Sequence, residues 1–388
     1  MREVVVVTAL RSPIGKGNKG SLKDTRPDDL MGQVAKAVVE KSGVNPADID
    51  DFIVGTAMPE AEQGLNVART VGFLAGLPDT VPGLTINRFC SSGLQSIAQG
   101  AASILAGWQD VVLAGGVESM SVVPMGGQKA SPNPTIMEDN PGVFTPMGIT
   151  AENVANRFSV SREDQDAFAA RSHERALAAQ AEGKFDEEIV PIETRVWDGS
   201  AWHDIVHKVD EGPRAGSTPD VLAKLRPVFA AKGSVTAGNS SQVSDGAAAA
   251  LIASREYAEA NNLPILGVLK SYQVVGVEPE IMGIGPAVAI PKAVEAAGLT
   301  LDDIGLFEIN EAFASQAVYC VRELGIDLDK VNVNGGAISL GHPLGCTGAK
   351  LTATLLHEMK RRGVRYGVVS MCIGGGMGAA AVFENPDA

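Results

Sequence analysis

Apolar residues along this chain fall into two alternating rhythms. Residues 2–9 (REVVVVTA) hold four consecutive valines, Val4 to Val7, the pattern of a buried strand. Residues 28–42 (DDLMGQVAKAVVEKS) place apolar positions at helical spacing, and Gly43 ends that helix. Asn45 and Pro46 open a turn, and Phe52 to Val54 begin a second strand. Strand, turn and helix return at 84–105, where the strand Leu84 to Asn87 runs through a sharp bend into a helix starting near Ser91 to Gly93.

The same phrases recur in the second half. AVVEKSGVNPADIDDFIVGT (37–56) parallels AVEAAGLTLDDIGLFEINE (293–311), with Gly43, Asp48, Ile49 and Phe52 answering Gly298, Asp303, Ile304 and Phe307. TINRFCSSGLQSIAQGAASIL (85–105) is answered by VNVNGGAISLGHPLGCTGAKLTATLLHEM (331–359), and DVVLAGGVESM (110–120) by YGVVSMCIGGGMG (366–378). Three paired elements in one order imply an internal duplication of an α/β unit, with mostly parallel sheets covered by helices. Residues 121–243 fit neither half. They read as an insertion folded over the first half, holding loops and polar helices such as 161–183. SDGAAAALIAS (244–254) returns to the first half as a strand. The expected domains are therefore 1–120 plus 244–263, 121–243, and 264–388.

Composition narrows the function. Apolar residues are 45% and charged residues 20% of the 388, the profile of a globular chain too long for a single core. The net charge of −14 argues against a nucleic-acid surface, but a few arginines or lysines still suffice to hold phosphates. No apolar run approaches the roughly 20 residues that span a bilayer. Four cysteines without CxxC spacing argue against zinc and for free thiols in a reducing cytoplasm.

Cys90 stands between a strand and a helix N-terminus, where the helix dipole favours thiolate. A lone cysteine is equally a small buried apolar residue. His342 sits in GGAISLGHPLGCTG (335–348), where Gly341, Pro343, Gly345 and Gly348 impose a tight turn before a helix starting near Thr347. By the duplication this turn is the counterpart of the Cys90 turn, so nucleophile and base should face each other across the pseudo-twofold. Cys372 ends a strand that runs into glycines, whose bare N–H groups can bind an oxyanion, and its thiol is a candidate proton carrier. Asn310 ends an apolar strand; it can orient a water or the imidazole, or it can cap the helix from Glu311.

On these residues the sequence resembles the thiolases over essentially its whole length. INRFCSSGLQS is similar to the family's nucleophile motif, NVNGGAISLGHPLGCTG to its histidine motif, GVVSMCIGGGMGAA to its C-terminal cysteine motif and NEAFA to its fourth block, all in family order. FTPMGITAENVANRF (144–158), TAGNSSQVSDGAAA (236–249) and LPILGVLKSYQVVG (263–276) look most like degradative 3-oxoacyl-CoA thiolases of bacterial or peroxisomal type. The resemblance implies a layered α-β-α-β-α core of two similar halves with an inserted loop domain. It implies CoA-dependent cleavage of 3-oxoacyl-CoA through an acyl-Cys90 intermediate, as in fatty-acid β-oxidation. His342 would be the base, Cys372 the proton carrier, and Asn310 the holder of a water in one oxyanion hole. The N–H groups of Cys90 and Gly374 would form the other. CoA would be a substrate, and no metal or redox cofactor is needed. Arg214 matches a family arginine near the adenine, Ser241 a serine on the pantetheine and Met147 a methionine covering it, while Ala312 and Phe313 line the same tunnel.

Two departures bear on assembly. Pro146 stands where biosynthetic acetoacetyl-CoA thiolases have a histidine, and residues 121–146 are shorter than their tetramerisation loop. Both favour a homodimer over a dimer of dimers. A hydratase–dehydrogenase partner and a cytoplasmic location are further expectations. The nearest rival is an acetoacetyl-CoA thiolase working in the condensing direction. Others are an irreversible condensing enzyme, a catalytically dead acyl-CoA-binding or lipid-transfer module, and a cysteine hydrolase.

Overall fold

The structure, a computed structural model, describes residues 2–388. Its strands are β1 (Val4–Arg11), β2 (Gly15–Lys16), β3 (Asp51–Gly55), β4 (Gly83–Ile86), β5 (Val111–Ser119), β6 (Ile192–Trp197), β7 (Trp202–His207), β8 (Ser244–Ser254), β9 (Gly267–Gly276), β10 (Leu306–Ile309), β11 (Tyr366–Ile373) and β12 (Met377–Glu384). The helices are α1 (Pro27–Ser42), α2 (Val67–Leu74), α3 (Ser92–Leu105), α4 (Pro134–Asp139), α5 (Met147–Arg157), α6 (Arg162–Ala181), α7 (Pro219–Leu222), α8 (Arg255–Ala260), α9 (Gly285–Ala296), α10 (Ala314–Leu324), α11 (Ala337–Leu340) and α12 (Thr347–Arg362).

The duplicated halves repeat one pairing order. In the first half β4, β3, β5, β8 and β1 lie side by side; in the second β10, β11, β12 and β9 do, and the halves join where β9 meets β1. The counterpart of β4 is reduced to one parallel bridge between Phe307 and Val331. Gly43 and Gly298 end α1 and α9 at φ +74° and +73°, the left-handed stop that glycine permits. The expectation of mostly parallel sheets is corrected. β3 is parallel to β4 and β5, and β10 to β11, but β8 runs antiparallel to β5 and β1, as β12 does to β11 and β9. A strand that returns directly from its neighbour, as β12 does from β11, must pair antiparallel.

Three buried clusters define five layers. Val34, Val38 and Val71 of α1 and α2 pack on one face of the first half-sheet. Leu94 and Ile97 of α3 and Leu351 and Leu355 of α12 fill the space between the two half-sheets. Ala289, Ile290 and Val294 of α9, with Val321 of α10, cover the outer face of the second. β1 is buried on both faces, which explains its run of four valines.

The two central helices and the end of β5 approach so closely that only glycine fits at Gly93, Gly348 and Gly116. A Cβ on Gly348 would lie 2.3 Å from the Leu94 nitrogen, and one on Gly116 would lie 2.0 Å from the Gly345 oxygen. The turn that carries Cys90 and the turn that carries His342 therefore meet backbone to backbone.

The insertion does not fold over the first half alone. Val160, Phe168 and Ala169 pack with Ala314, Ala317 and Ile338 of the second half. On the other side, the Gln33 amide of α1 and Thr25 bond the β6–β7 hairpin at Glu193 and Thr194. Apolar positions on α6 face the second half, a contact that helical periodicity alone does not assign. A buried ion cluster pins the insertion to β1. Arg11 donates two bonds to Asp210 at 2.8 and 2.9 Å and one to Glu188 at 2.6 Å.

Candidate active site

Cys90 sits on a short 3₁₀ turn, Phe89–Ser91, between β4 and α3. Phe89 holds φ +43°, a left-handed value that costs an aromatic residue roughly 1–2 kcal/mol. Hydrogen bonds fix it there. Phe89 N–H donates to Asn87 Oδ1 at 2.8 Å, Arg88 N–H to Ser92 Oγ at 2.9 Å, and Ser92 Oγ to the Phe89 carbonyl at 2.7 Å. The bend turns the buried Cys90 towards Ala57, Met58, Met120 and Leu344, so a residue two places past His342 lies against it.

The glycine run after β11 closes on the same thiol. The N–H groups of Gly374 and of Cys90 itself bond Sγ, while Gly375 and Gly376 carry the chain round at φ +80° and +85°. Above Gly374 lie Met147 and Phe89, at 3.6 Å and 4.0 Å from where a Cβ would stand. Cys372, fully buried on β11, is close enough to Cys90 for their charges to interact.

His342 follows Gly341, which holds φ +98°, and its N–H donates to Ser244 Oγ at 3.2 Å. Its ring is held at both nitrogens. Thr347 Oγ1 donates to the Pro343 carbonyl at 2.9 Å, so the 2.6 Å contact with Nδ1 must be Nδ1–H donating to Thr347. Nε2 is then the basic nitrogen, and it accepts from Asn310 Nδ2 at 3.3 Å. Asn310 does not cap a helix, because α10 starts only at Ala314 with Phe313 as its cap. Asn310 Oδ1 is buried with no protein partner among the described residues, an acceptor that one water can satisfy.

The helix-dipole argument for a resting thiolate is corrected. Burial pushes the Cys90 thiol up to about 11, outweighing the two N–H bonds that favour the thiolate. α3 proper begins two residues beyond Cys90, at Ser92. Burial also drives the Cys372 thiol well above its ordinary range, with Cys90 adding to the effect. Burial, and then the Lys350 ammonium, hold His342 down to about 3. Thiol and imidazole are therefore both neutral at rest.

The residues expected at the CoA tunnel divide. Met147, Ala312 and Phe313 share one cluster with Cys372. The segment carrying Ser241 is strapped to them, its N–H donating to the Ala312 carbonyl at 3.0 Å. Arg214 lies apart on an exposed loop, with its own N–H donating to His173 Nδ1 at 3.2 Å. Thr347, Ser244 and Glu118 were missed in the sequence. Of these, only Glu118 carried a signal, a charged residue inside the apolar strand VVLAGGVES.

A buried thiol on a strand-to-helix turn, an oriented imidazole and a second buried thiol stand on a doubled α/β core. Residues 4–256 match the family described as "Thiolase, N-terminal domain" and residues 263–385 "Thiolase, C-terminal domain"; the chain belongs to the thiolase family. It is 58% identical to the 3-ketoacyl-CoA thiolase of Bacillus subtilis (strain 168), over 99% of this chain and all of that one. Among solved structures it is similar to the dimeric peroxisomal thiolase of Saccharomyces cerevisiae, at TM-score 0.90 and 46% identity over 99% of this chain and 97% of that one. It is also similar to a Bacillus anthracis acetyl-CoA acetyltransferase, at TM-score 0.91 and 44% identity over 99% of both chains.

Proposed function

We propose that this chain is a degradative 3-ketoacyl-CoA thiolase, which cleaves 3-oxoacyl-CoA with free CoA to acetyl-CoA and a shortened acyl-CoA. The observation that supports the mechanism is that the turn carrying Cys90, with Gly374 and Cys372 against it, packs on the turn carrying the oriented His342–Asn310 pair, through Leu344 on Cys90 and Gly93 on the Gly345 carbonyl. Cys90 Sγ attacks the 3-keto carbon as its proton passes to His342 Nε2. The new N–H and a water on Asn310 then stabilise the oxyanion. Because thiol and imidazole are both neutral at rest, proton transfer accompanies C–S bond formation.

As the C2–C3 bond breaks, its electron pair leaves as the acetyl-CoA enolate, whose carbon takes the proton of Cys372. The acyl group stays on Cys90, with its carbonyl oxygen facing the N–H groups of Cys90 and Gly374. Acetyl-CoA departs and CoA enters, giving its thiol proton to the Cys372 thiolate. The CoA thiolate attacks the acyl carbon, and Cys90 leaves with its proton restored from His342. C3 exchanges its bond to C2 for one to sulfur while C2 gains a hydrogen, so the two changes in oxidation state cancel within the substrate and the cycle draws on no external oxidant or reductant. In this reading Met147, Ala312, Phe313 and Ser241 line the pantetheine tunnel, and Arg214 meets the adenine end.

The working unit is a homodimer. β4 is an edge strand with an unpaired side, and Leu84 on it and Leu65 and Phe73 near it are exposed, a surface of the kind that a second copy covers. A yeast relative is described as dimeric. No helix among the described residues is long and apolar enough to cross a membrane.

The likeness to an acetyl-CoA acetyltransferase keeps the condensing reading in play. Consumption of 3-oxoacyl-CoA from four carbons upward, with and without CoA, separates the two. CoA-dependent cleavage past four carbons supports the degradative enzyme; activity confined to acetoacetyl-CoA supports the other.

A further inference from the structure

Glu118 lies in β5, fully buried, and meets only donors. Its Oε1 accepts from Thr56 Oγ1 at 3.2 Å, Met58 N–H at 3.2 Å and Gln63 Nε2 at 2.6 Å. Its Oε2 accepts from Ala57 N–H at 2.7 Å and Gly345 N–H at 2.8 Å. Three of these donors are backbone or side-chain groups of one loop, 56–58, which walls the Cys90 pocket. Gly345 belongs to the turn that carries His342.

The bonds form a continuous path. Phe89 N–H, next to the nucleophile, donates to Asn87 Oδ1, and Asn87 Nδ2 donates to the Ala57 carbonyl at 3.0 Å. The N–H of that same Ala57 shares Glu118 Oε2 with Gly345. One carboxylate oxygen therefore joins the Cys90 elbow in one half of the duplication to the His342 turn in the other. Neither turn has another side chain in this position, because Gly345 packs against the Thr56 backbone, where a Cβ would lie 2.6 Å from Cα.

We propose that Glu118 is a positioning residue that sets the spacing between Cys90 and His342 by holding Ala57 and Gly345 on one oxygen. This rests on the catalytic reading above. Five converging donors require the ionised form, and the bonds to them oppose the burial that raises its pKa. Glutamine has the same shape but one acceptor oxygen. That oxygen goes to the side with three donors, which turns its NH2 group against the N–H groups of Ala57 and Gly345. The joint between the two turns is then pushed apart, with little change elsewhere.

Glu118→Gln tests this. Two rates are read on the folded variant: kcat for 3-oxoacyl-CoA cleavage per titrated Cys90, and the rate of Cys90 alkylation by iodoacetamide at pH 8. The second needs no acyl-CoA chemistry, so it reports on Glu118 even if the substrate assignment fails. Displacing a base by about 1 Å costs up to roughly 100-fold, so both rates should fall about 10- to 100-fold, with KM for both substrates within about threefold. Both rates within about threefold of wild type in folded protein would overturn the proposal. If Glu118→Gln does not fold, Glu118→Asp keeps the charge but draws the carboxylate back by about 1.5 Å. It should show the same loss of kcat and alkylation rate, and wild-type rates in that variant would overturn the proposal equally.

Discussion

Thr347→Val isolates the orientation of the base. Valine matches threonine in shape, so the change removes one hydroxyl and leaves packing alone. That hydroxyl receives the proton of His342 Nδ1 at 2.6 Å and itself bonds the Pro343 carbonyl at 2.9 Å. Without it, Nδ1–H is buried and unpaired, which costs about 1–3 kcal/mol. The ring can escape that cost by moving its proton to Nε2 or by turning, and either change removes the lone pair that must take the Cys90 proton. At about 1.4 kcal/mol per decade, the expected loss in kcat is roughly 10- to 100-fold. The assay is steady-state thiolysis alongside a urea titration. Thr347→Ser restores the hydroxyl and should recover most of the rate. A Thr347→Val enzyme within twofold of wild type would refute the tautomer assignment.

Other consequences follow from the same geometry. With both groups neutral at rest, His342-assisted alkylation of Cys90 by iodoacetamide should change little between pH 6 and 8 and climb only as free thiolate forms towards the Cys90 value of about 11; a tenfold rise per pH unit from pH 6 upward would show that His342 takes no part. His342 is held at about 3 in the fold against 6.5 unfolded, so between those values the unfolded chain binds more protons. Stability should fall as pH drops through that window. In urea titrations from pH 7 to 4, His342→Gln should flatten that fall, and an unchanged slope would count against it. Cys372→Ser should still acylate Cys90 but exchange the α-protons of acetyl-CoA poorly, as deuterium incorporation would show. Arg11→Met leaves the buried Asp210 and Glu188 uncompensated and should cost about 3–5 kcal/mol in chemical denaturation.

Repeated sequence made the main axis of this molecule readable. Once Cys90 and His342 stand on equivalent turns, the packing of those turns follows from the duplication, and the glycines in them show how the backbones come that close. Strand direction was less readable, since β12 returns from β11 through three glycines that periodicity cannot distinguish from a longer crossover. Ionisation was misread at Cys90 because a local dipole was visible and the burial was not. Asn310 keeps a helix cap as its alternative reading in the sequence because the chain between it and α10 gives no sign of where the helix starts. Thr347 and Ser244 act through single hydroxyls placed by the fold, and hydroxyls in turns are too common to stand out. Glu118 did stand out as a charge in an apolar strand, but its five donors come from segments far apart in sequence.

The central claim is a covalent acyl group on Cys90 that only CoA removes. A 3-oxoacyl-CoA longer than four carbons, mixed with enzyme without CoA, is read by intact-protein and peptide mass spectrometry. One acyl group shortened by two carbons on the Cys90 peptide, with one acetyl-CoA released and the adduct discharged as acyl-CoA when CoA is added, is the predicted result. No adduct, an adduct on another residue, or discharge to free acid without CoA would contradict the account.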